Sequence, residues 1–240
     1  MIERGPLLPA VLVAATTLAF VSSPLLVPDF GGFDPNLFPV PQDNAPVQPA
    51  GYAFAIWGVI YLWLVVSAGF GLFARARAAD WMPMRPALAL SVGIGAAWLP
   101  VAMVSPLGAT ALIWIMCGTA IIALLRTPEL DRLLAHAPVG LYAGWLTAAS
   151  CVSVGLVLAG YGIMGQTAAA ILALLLALAI SVAVLRFAGN FPEFGFSVVW
   201  ALIAVTVASW DDATVVTWLA ATGAGLVAGV TLSAARRART

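Results

Sequence analysis

Residues 49–62 read PAGYAFAIWGVIYL, and the class of the protein follows from stretches of this kind. A proline–glycine break is followed by an apolar run that continues to residue 73. Because about 20 apolar residues cross a bilayer as a helix, this run predicts a membrane span. A helix that faces only lipid needs leucine and valine, so the aromatic rings of the quoted stretch require a second explanation.

The whole chain shares this apolar character. Its 240 residues are 63% hydrophobic and 8% charged, whereas soluble domains carry about 25% charged residues. The composition therefore predicts an integral membrane protein whose first partner is the lipid bilayer. The formal net charge of zero argues against nucleic acid as a partner.

Eight apolar segments are long enough to be considered as spans, and backbone groups in lipid must be bonded internally, which predicts helices. The segments are 7–27, 51–73, 86–104, 107–125, 138–159, 166–187, 192–210 and 213–234. The seventh is the weakest, because Pro192 and Glu193 lie at its start. The predicted fold class is an all-α integral membrane protein, an eight-helix transmembrane bundle.

The positions of the basic residues predict the orientation. All ten are arginines, and each falls at a terminus or in a loop that follows an even-numbered span. The charged residues in the loops after odd-numbered spans are all acidic. The positive-inside rule then predicts that both termini are cytoplasmic. The expected location is the bacterial inner (cell) membrane.

The long connection 28–50, PDFGGFDPNLFPVPQDNAPVQPA, is predicted to be irregular. Prolines restrict φ and glycines relax it, so no regular element is expected there. The loop lies on the outer side in the predicted topology and carries Phe30, Phe33 and Phe38. A lid over a binding site and a simple spacer are both consistent with such a loop.

Aromatic residues in the second and third spans share definable helix faces. Phe54, Trp57 and Tyr61 recur at i, i+3 and i+7 and therefore line one stripe. In the third span, Gly95 and Trp98 lie near one face. A large residue beside a small one leaves room for a flat ligand between helices.

The fifth span repeats the pattern with Tyr142, Trp145 and Ala149. Packing between helices and an aromatic-lined cleft within the membrane both explain such stripes. Trp81 and Trp210, near the ends of their spans, are instead typical of the interfacial belt. Two glycine pairs, 140/144 and 225/229, have the Gly-x-x-x-Gly spacing that lets helix backbones approach closely.

Residues that could carry chemistry are scarce. Arg186 and Glu193 lie at predicted span edges, where snorkelling to the interface explains them. The sequence contains a single histidine, His136, and no nucleotide-binding loop, metal cluster or Ser/His/Asp set. The predicted spans contain essentially no charged residue, which disfavours a proton- or ion-coupled carrier and a carboxylate-based enzyme.

Three aromatic motifs carry a resemblance to a known family. Pro49, Trp57 and Tyr61, separated by seven and three residues, resemble the second-helix signature of the tryptophan-rich sensory protein family. This family is also called the TspO or translocator protein family. Trp98, with Pro100 close behind, is similar to the tryptophan and small or proline residues of the family's third helix.

The fifth helix of the family has a Tyr-x-x-Trp motif with a small residue one turn on, matched here by Tyr142, Trp145 and Ala149. The chain also departs from the family. Gly95 and Ser153 stand where the family usually has asparagines. Those asparagines help to bind ligand, so the departures leave the ligand's identity open.

The resemblance covers 1–160 and implies a TspO-like five-helix core there, followed by a three-helix extension over 161–240. It implies a binding, sensory or translocator protein for a hydrophobic planar ligand. The family's ligands are tetrapyrroles such as protoporphyrin or haem, and sterol-like lipids. The expected site is a cleft between the second, third and fifth helices, with no catalytic residue and no metal.

In that cleft Trp57 and Trp145 would stack on the faces of the ligand, and Tyr61 and Tyr142 would offer hydroxyls. The missing side chain of Gly95 would enlarge the pocket. No cofactor is required, a tetrapyrrole is expected only as the bound ligand, and a homodimer is an expected assembly. The alternatives that the sequence leaves open are a transporter of small or lipophilic solutes, a non-catalytic subunit of a larger membrane complex, and a tetrapyrrole-modifying enzyme.

Overall fold

The computed structural model describes residues 6–25, 27, 30–188, 191–211 and 214–237. The described residues form eight α-helices and no strand, which confirms the predicted fold class. The helices are α1 (Leu8–Ser22), α2 (Ile56–Phe73), α3 (Arg85–Ala102), α4 (Pro106–Leu124), α5 (Ala137–Gly160), α6 (Gln166–Ala183), α7 (Pro192–Ala208) and α8 (Thr214–Arg237). Short turns extend some of them, with a 3-10 turn at Gly51–Ala55 before α2 and a π turn at Arg132–His136 before α5.

Seven helical segments among the described residues are long and apolar enough to cross a membrane. The exception is α7, which is apolar but only 17 residues long. At about 1.5 Å per residue it covers about 25 Å, a little less than the hydrocarbon core of about 30 Å. The weakest of the predicted spans, 192–210, thus corresponds to the helix that is a little too short to cross the hydrocarbon core.

The fifth helix forms the centre of the bundle. It packs against α4, α6, α7 and α2, and most of its side chains are buried. Gly144 faces the backbone of Phe194 in α7, where a Cβ atom would lie 2.9 Å from the Phe194 Cα. The packing predicted for Gly140 and Gly144 is confirmed, because this glycine face is what admits α7.

The second glycine pair does not pack within the described chain, so that prediction is wrong here. Gly225 and Gly229 are exposed, and a Cβ atom added at either would meet no atom within 4 Å. The reason is the orientation of α8. Its buried face is formed by Val216, Ala220 and Val227, which leaves the glycines on the opposite side.

The connection between α1 and α2 covers one end of the bundle, which we call the loop end. Residues 28 and 29 of the predicted loop lie outside the described residues. The rest is irregular apart from a 3-10 turn at Pro35–Leu37. The Val40 N–H donates to the Gly160 carbonyl at 2.8 Å, and the Ala50 N–H donates to the Ala204 carbonyl at 3.1 Å. The loop is therefore attached to α5 and α7 rather than being a free spacer.

The opposite end, which we call the arginine end, is held by a polar cluster. Arg75 donates to both carboxylate oxygens of Asp131 at 2.7 and 3.0 Å, and the Trp81 indole donates to the same carboxylate at 2.8 Å. The hydrogen bond from Arg75 holds the pKa of Asp131 below its usual range. Trp81 is 2% exposed, so its assignment to the interfacial belt is wrong, whereas Trp210 is exposed as a belt residue should be.

Arg85 caps the end of α2. Its guanidinium donates to the carbonyls of Gly71, Arg75 and Ala76 at 3.1, 2.7 and 2.8 Å. The side chain is 1% exposed. Gly71 lies in the last turn of α2, whereas Arg75 and Ala76 lie just after the helix ends at Phe73. The last carbonyls of a helix lack partners within it, so a buried cation with several donors satisfies groups at the helix end and in the chain that follows it. In the sequence, Arg85 contributes only to the pattern of basic residues that predicts the topology.

Candidate ligand-binding cleft

Two adjoining cavities lie inside the loop end of the bundle. The larger has a volume of about 250 Å³ and the smaller about 70 Å³. Phe30, Phe54, Trp98 and Ile113 line both cavities and so lie at their junction. We call the two cavities together the loop-end cleft.

The larger cavity lies among the first five helices, since Leu146 of α5 also lines it. Its walls include Trp57 and Tyr61 of α2, Phe20 of α1 and Met116 of α4. Trp57 and Tyr61 are one turn apart, and their rings stack with centroids 5.1 Å apart and planes at 25°. Phe20 meets both rings edge-on, at 5.8 and 5.2 Å. This cavity is therefore walled by a fixed aromatic cluster.

The smaller cavity lies under the loop and against α5 and α7. Gln48 and Pro49 close it from the loop, Trp145 and Ala149 line it from α5, and Ala201 lines it from α7. Except for Gln48 and Ser153, its side chains are apolar. Both cavities are thus lined mainly by apolar and aromatic groups, as small-molecule sites usually are.

The chain matches the family model described as TSPO-like protein over residues 41–233. The chain belongs to the TSPO-like family. The predicted TspO relationship is confirmed. No curated protein and no solved structure matches the chain.

The family match extends across the boundary predicted at residue 160. It begins in the connection before α2 and ends within α8. It therefore includes α7, whose residue Ala201 lines the smaller cavity. The division into a core over 1–160 and an extension over 161–240 stays a prediction for this TSPO-like protein.

Six of the eight residues predicted for the site line the loop-end cleft. Phe54 and Trp98 line both cavities, Trp145 and Ala149 line the smaller one, and Trp57 lines the larger one. The sixth is the α2 tyrosine of the same stripe, at position 61. The helical spacing in the sequence therefore identified side chains that line the two cavities, and their role in binding a ligand stays a prediction.

Trp57 and Trp145 do not form the parallel pair that was predicted to sandwich a ligand. Their centroids are 6.2 Å apart and their planes cross at 82°, an edge-to-face contact between the two indoles themselves. A flat molecule between two rings needs parallel planes about 7 Å apart, since carbon atoms approach to about 3.5 Å. In this structure each indole instead presents a surface to a different cavity.

Gly95 does not enlarge the cleft, so that prediction is wrong. It is buried and lines neither cavity. A Cβ atom there would lie 2.6 Å from the ring of Phe20 and 3.0 Å from the terminal methyl of Met116. The space left by the missing side chain is already filled by Phe20, which lets α1 pack closely against α3.

Tyr142 has a structural partner for its hydroxyl. It is fully buried and lines neither cavity. Its hydroxyl lies 3.0 Å from the Ser91 Oγ, and Ser91 donates its only proton to the Met116 carbonyl at 2.8 Å. Tyr142 must therefore donate to Ser91. This chain of bonds ties α3, α4 and α5 together, and it places the Tyr142 hydroxyl away from the cleft.

Several walls of the cleft consist of residues that no sequence pattern predicted. Phe20 and Met116 were not singled out, and α7 was not expected to contribute. The phenylalanines of the loop were noted, and Phe30 and Phe33 do line the cleft. No sequence signal identified Ala201, because a small residue on an apolar helix has no distinctive pattern.

Proposed function

We propose that this TSPO-like protein binds a hydrophobic planar ligand of the tetrapyrrole type in the loop-end cleft, as a sensory or translocator protein. The observation that carries the proposal is the pair of adjoining cavities, walled by rings and covered by the loop. An apolar flat molecule gains by leaving water or lipid for surfaces of matching shape. Binding, rather than a catalytic step, is the proposed role.

The polarity of the cavity walls also suits such a ligand. Tyr61 offers a hydroxyl in the larger cavity, and Gln48 offers an amide in the smaller one. A few polar groups among apolar walls set the orientation of a ligand while most of its surface is buried. Neither cavity is lined by a described histidine or cysteine. The proposal therefore does not depend on a metal in the macrocycle.

The size of the ligand sets a requirement for the loop. The larger cavity, about 250 Å³, is just below the range of about 300–1,000 Å³ for small-molecule pockets. A tetrapyrrole therefore needs both cavities joined, which requires movement at their junction. Phe30 belongs to the loop and lies at that junction. In the proposed role the loop acts as a lid that shifts when the ligand binds.

Quenching of tryptophan fluorescence by protoporphyrin IX tests the proposal. We expect saturable quenching in the wild-type protein. Ala149→Phe fills the smaller cavity and should weaken binding by about tenfold, since a lost apolar contact of about 1.4 kcal/mol has that effect. Ala111→Phe, at an exposed position of α4, is the matched control and should bind normally.

Equal binding by the wild type and both variants would contradict the proposed site. The transport alternative has a separate readout, because flux of protoporphyrin into proteoliposomes should then scale with the amount of protein. Saturable binding without flux favours a sensory role.

We further propose that the loop end faces the outside of a bacterial inner membrane, with both termini in the cytoplasm. The arginines carry this proposal through the positive-inside rule. Asp34 is exposed on the loop, so a cysteine in its place should react with an impermeant thiol reagent in intact cells. Reaction only after lysis would reverse the orientation. The predicted homodimer is an open proposal that cross-linking in membranes would test.

A further inference from the structure

A third cavity, of about 330 Å³, lies between α2 and α7 and is separate from the loop-end cleft. We call it the lateral groove. It is lined by Ile56, Val59, Trp63, Leu141, Pro192, Glu193 and Phe196. None of these residues lines either cavity of the loop-end cleft. An inference about the lateral groove therefore stands apart from the proposed function.

The groove opens toward lipid. Val59 and Phe196, on its two sides, are 54% and 58% exposed. Both lie on apolar helices of a membrane protein, so in the bilayer their exposed surfaces contact acyl chains. On the α2 side of the groove, the Trp63 indole N–H donates to the Leu133 carbonyl at 2.8 Å. The ring therefore offers the groove an apolar surface, and the molecule most available to fill it is a membrane amphiphile.

One polar group lies in this otherwise apolar lining. The Glu193 Oε1 accepts a hydrogen bond from Arg132 at 2.6 Å. The other carboxylate oxygen, Oε2, is buried and has no hydrogen-bond partner among the described residues. The side chain as a whole is 18% exposed, so snorkelling does not explain it. A buried carboxylate oxygen without a donor is costly, and such a group needs an explanation.

A neutral hydrogen-bond donor is the partner that would suit this oxygen. Arg132 already compensates the charge of Glu193 at the edge of the groove, so a second cation is not required. A hydroxyl donates one hydrogen bond to Oε2 and adds no charge to the membrane interior. A carboxylate or a phosphate would be repelled by the same oxygen.

We propose that the lateral groove binds a membrane amphiphile with a long apolar chain and a terminal hydroxyl. The hydroxyl donates to Oε2 of Glu193. The chain lies between α2 and α7, against Trp63, Val59 and Phe196. The groove is then a lipid site that bridges helices on either side of the boundary at residue 160.

A brominated long-chain alcohol in nanodiscs tests the proposal, because bromine quenches a nearby indole. We expect saturable quenching that is absent in Trp63→Phe. The methyl ether of the same alcohol cannot donate, and it should bind about tenfold more weakly or worse, as loss of a hydrogen bond to a charged group predicts. This comparison changes the ligand and leaves the fold of the protein intact.

The groove itself is tested by a matched pair of variants. Val59→Phe narrows the groove and should abolish saturable quenching. Val66→Phe makes the same change on the same helix at a residue that is 46% exposed and does not line the groove, and it should behave as wild type. Equal quenching by the alcohol and its ether, or quenching that only rises in proportion to probe content, overturns the proposal. The proposed protoporphyrin site is a separate cavity, so neither result decides whether protoporphyrin binds there.

Discussion

Replacement of Gly144 by alanine should destabilise the bundle, because this glycine is where α5 and α7 are in closest contact. A Cβ atom there would lie against the Phe194 carbonyl oxygen, 2.9 Å from its Cα and 3.0 Å from its carbonyl carbon. All three are backbone atoms, so no side-chain rotation can relieve the contact. One turn earlier, a Cβ atom at Gly140 would meet the Phe194 nitrogen at 3.5 Å, which is ordinary contact.

The two glycines therefore give opposite expected changes in the free energy of unfolding. Overpacking costs about 1–3 kcal/mol, and a rigid backbone neighbour places Gly144→Ala near the upper value. Alanine gains about 1 kcal/mol over glycine in helix propensity at either position. The net expectation is a loss of about 2 kcal/mol for Gly144→Ala and a gain of up to about 1 kcal/mol for Gly140→Ala.

Thermal unfolding in detergent, followed with a thiol-reactive dye, measures this difference. Cys117 and Cys151 are 2% and 1% exposed, so the dye reacts only when the bundle opens. For a chain of this size, a loss of about 2 kcal/mol lowers Tm by about 4–8 °C. If Gly144→Ala melts no lower than Gly140→Ala, the close approach of α7 to α5 described here is incorrect.

Two further predictions concern the arginine end. Arg85→Met should lose about 3 kcal/mol of stability in the same assay, because it leaves three carbonyls, one in the last turn of α2 and two just after it, without a charged donor. Met at the exposed Arg77 should change stability by less than about 0.5 kcal/mol. The pKa of Asp131 is lowered in the folded protein, so its contribution is present above the unfolded pKa of about 3.9 and is lost as pH falls through the folded value. Asp131→Asn should therefore be less stable at pH 7 and show a weaker fall in Tm on acidification; an unchanged acid profile would show that the pair with Arg75 does not contribute.

The membrane spans were predictable because each one depends on a local property. A run of apolar residues must bond its backbone internally in lipid, whatever its neighbours do. The predicted fourth span, 107–125, thus agrees with Pro106–Leu124 to within one residue at each end. The aromatic stripe of α2 was predictable for the same reason, since helical spacing alone places Phe54, Trp57 and Tyr61 on one face.

The partners of those residues were not predictable from spacing. Gly95 looked like open space, but Phe20, on another helix, fills it. Tyr142 looked like a hydrogen-bond donor to a ligand, but Ser91 accepts that hydrogen bond instead. Two glycine pairs have the same spacing, and only the pair on α5 faces a neighbouring helix. In each case the outcome depends on a residue that is remote in sequence.

Membrane insertion, helical class and the sharing of helix faces follow from the amino-acid order, because they require only apolar length and the period of a helix. Packing of segments that are distant in the chain produces the other features. These are the loop that covers the cleft, the cavity wall that α7 supplies and the pairing of Arg132 with Glu193. The sequence of a single apolar helix does not specify which neighbouring helix it will pack against. Its partners are selected by shape and by the need to satisfy buried polar groups, and these exist only once the bundle has formed.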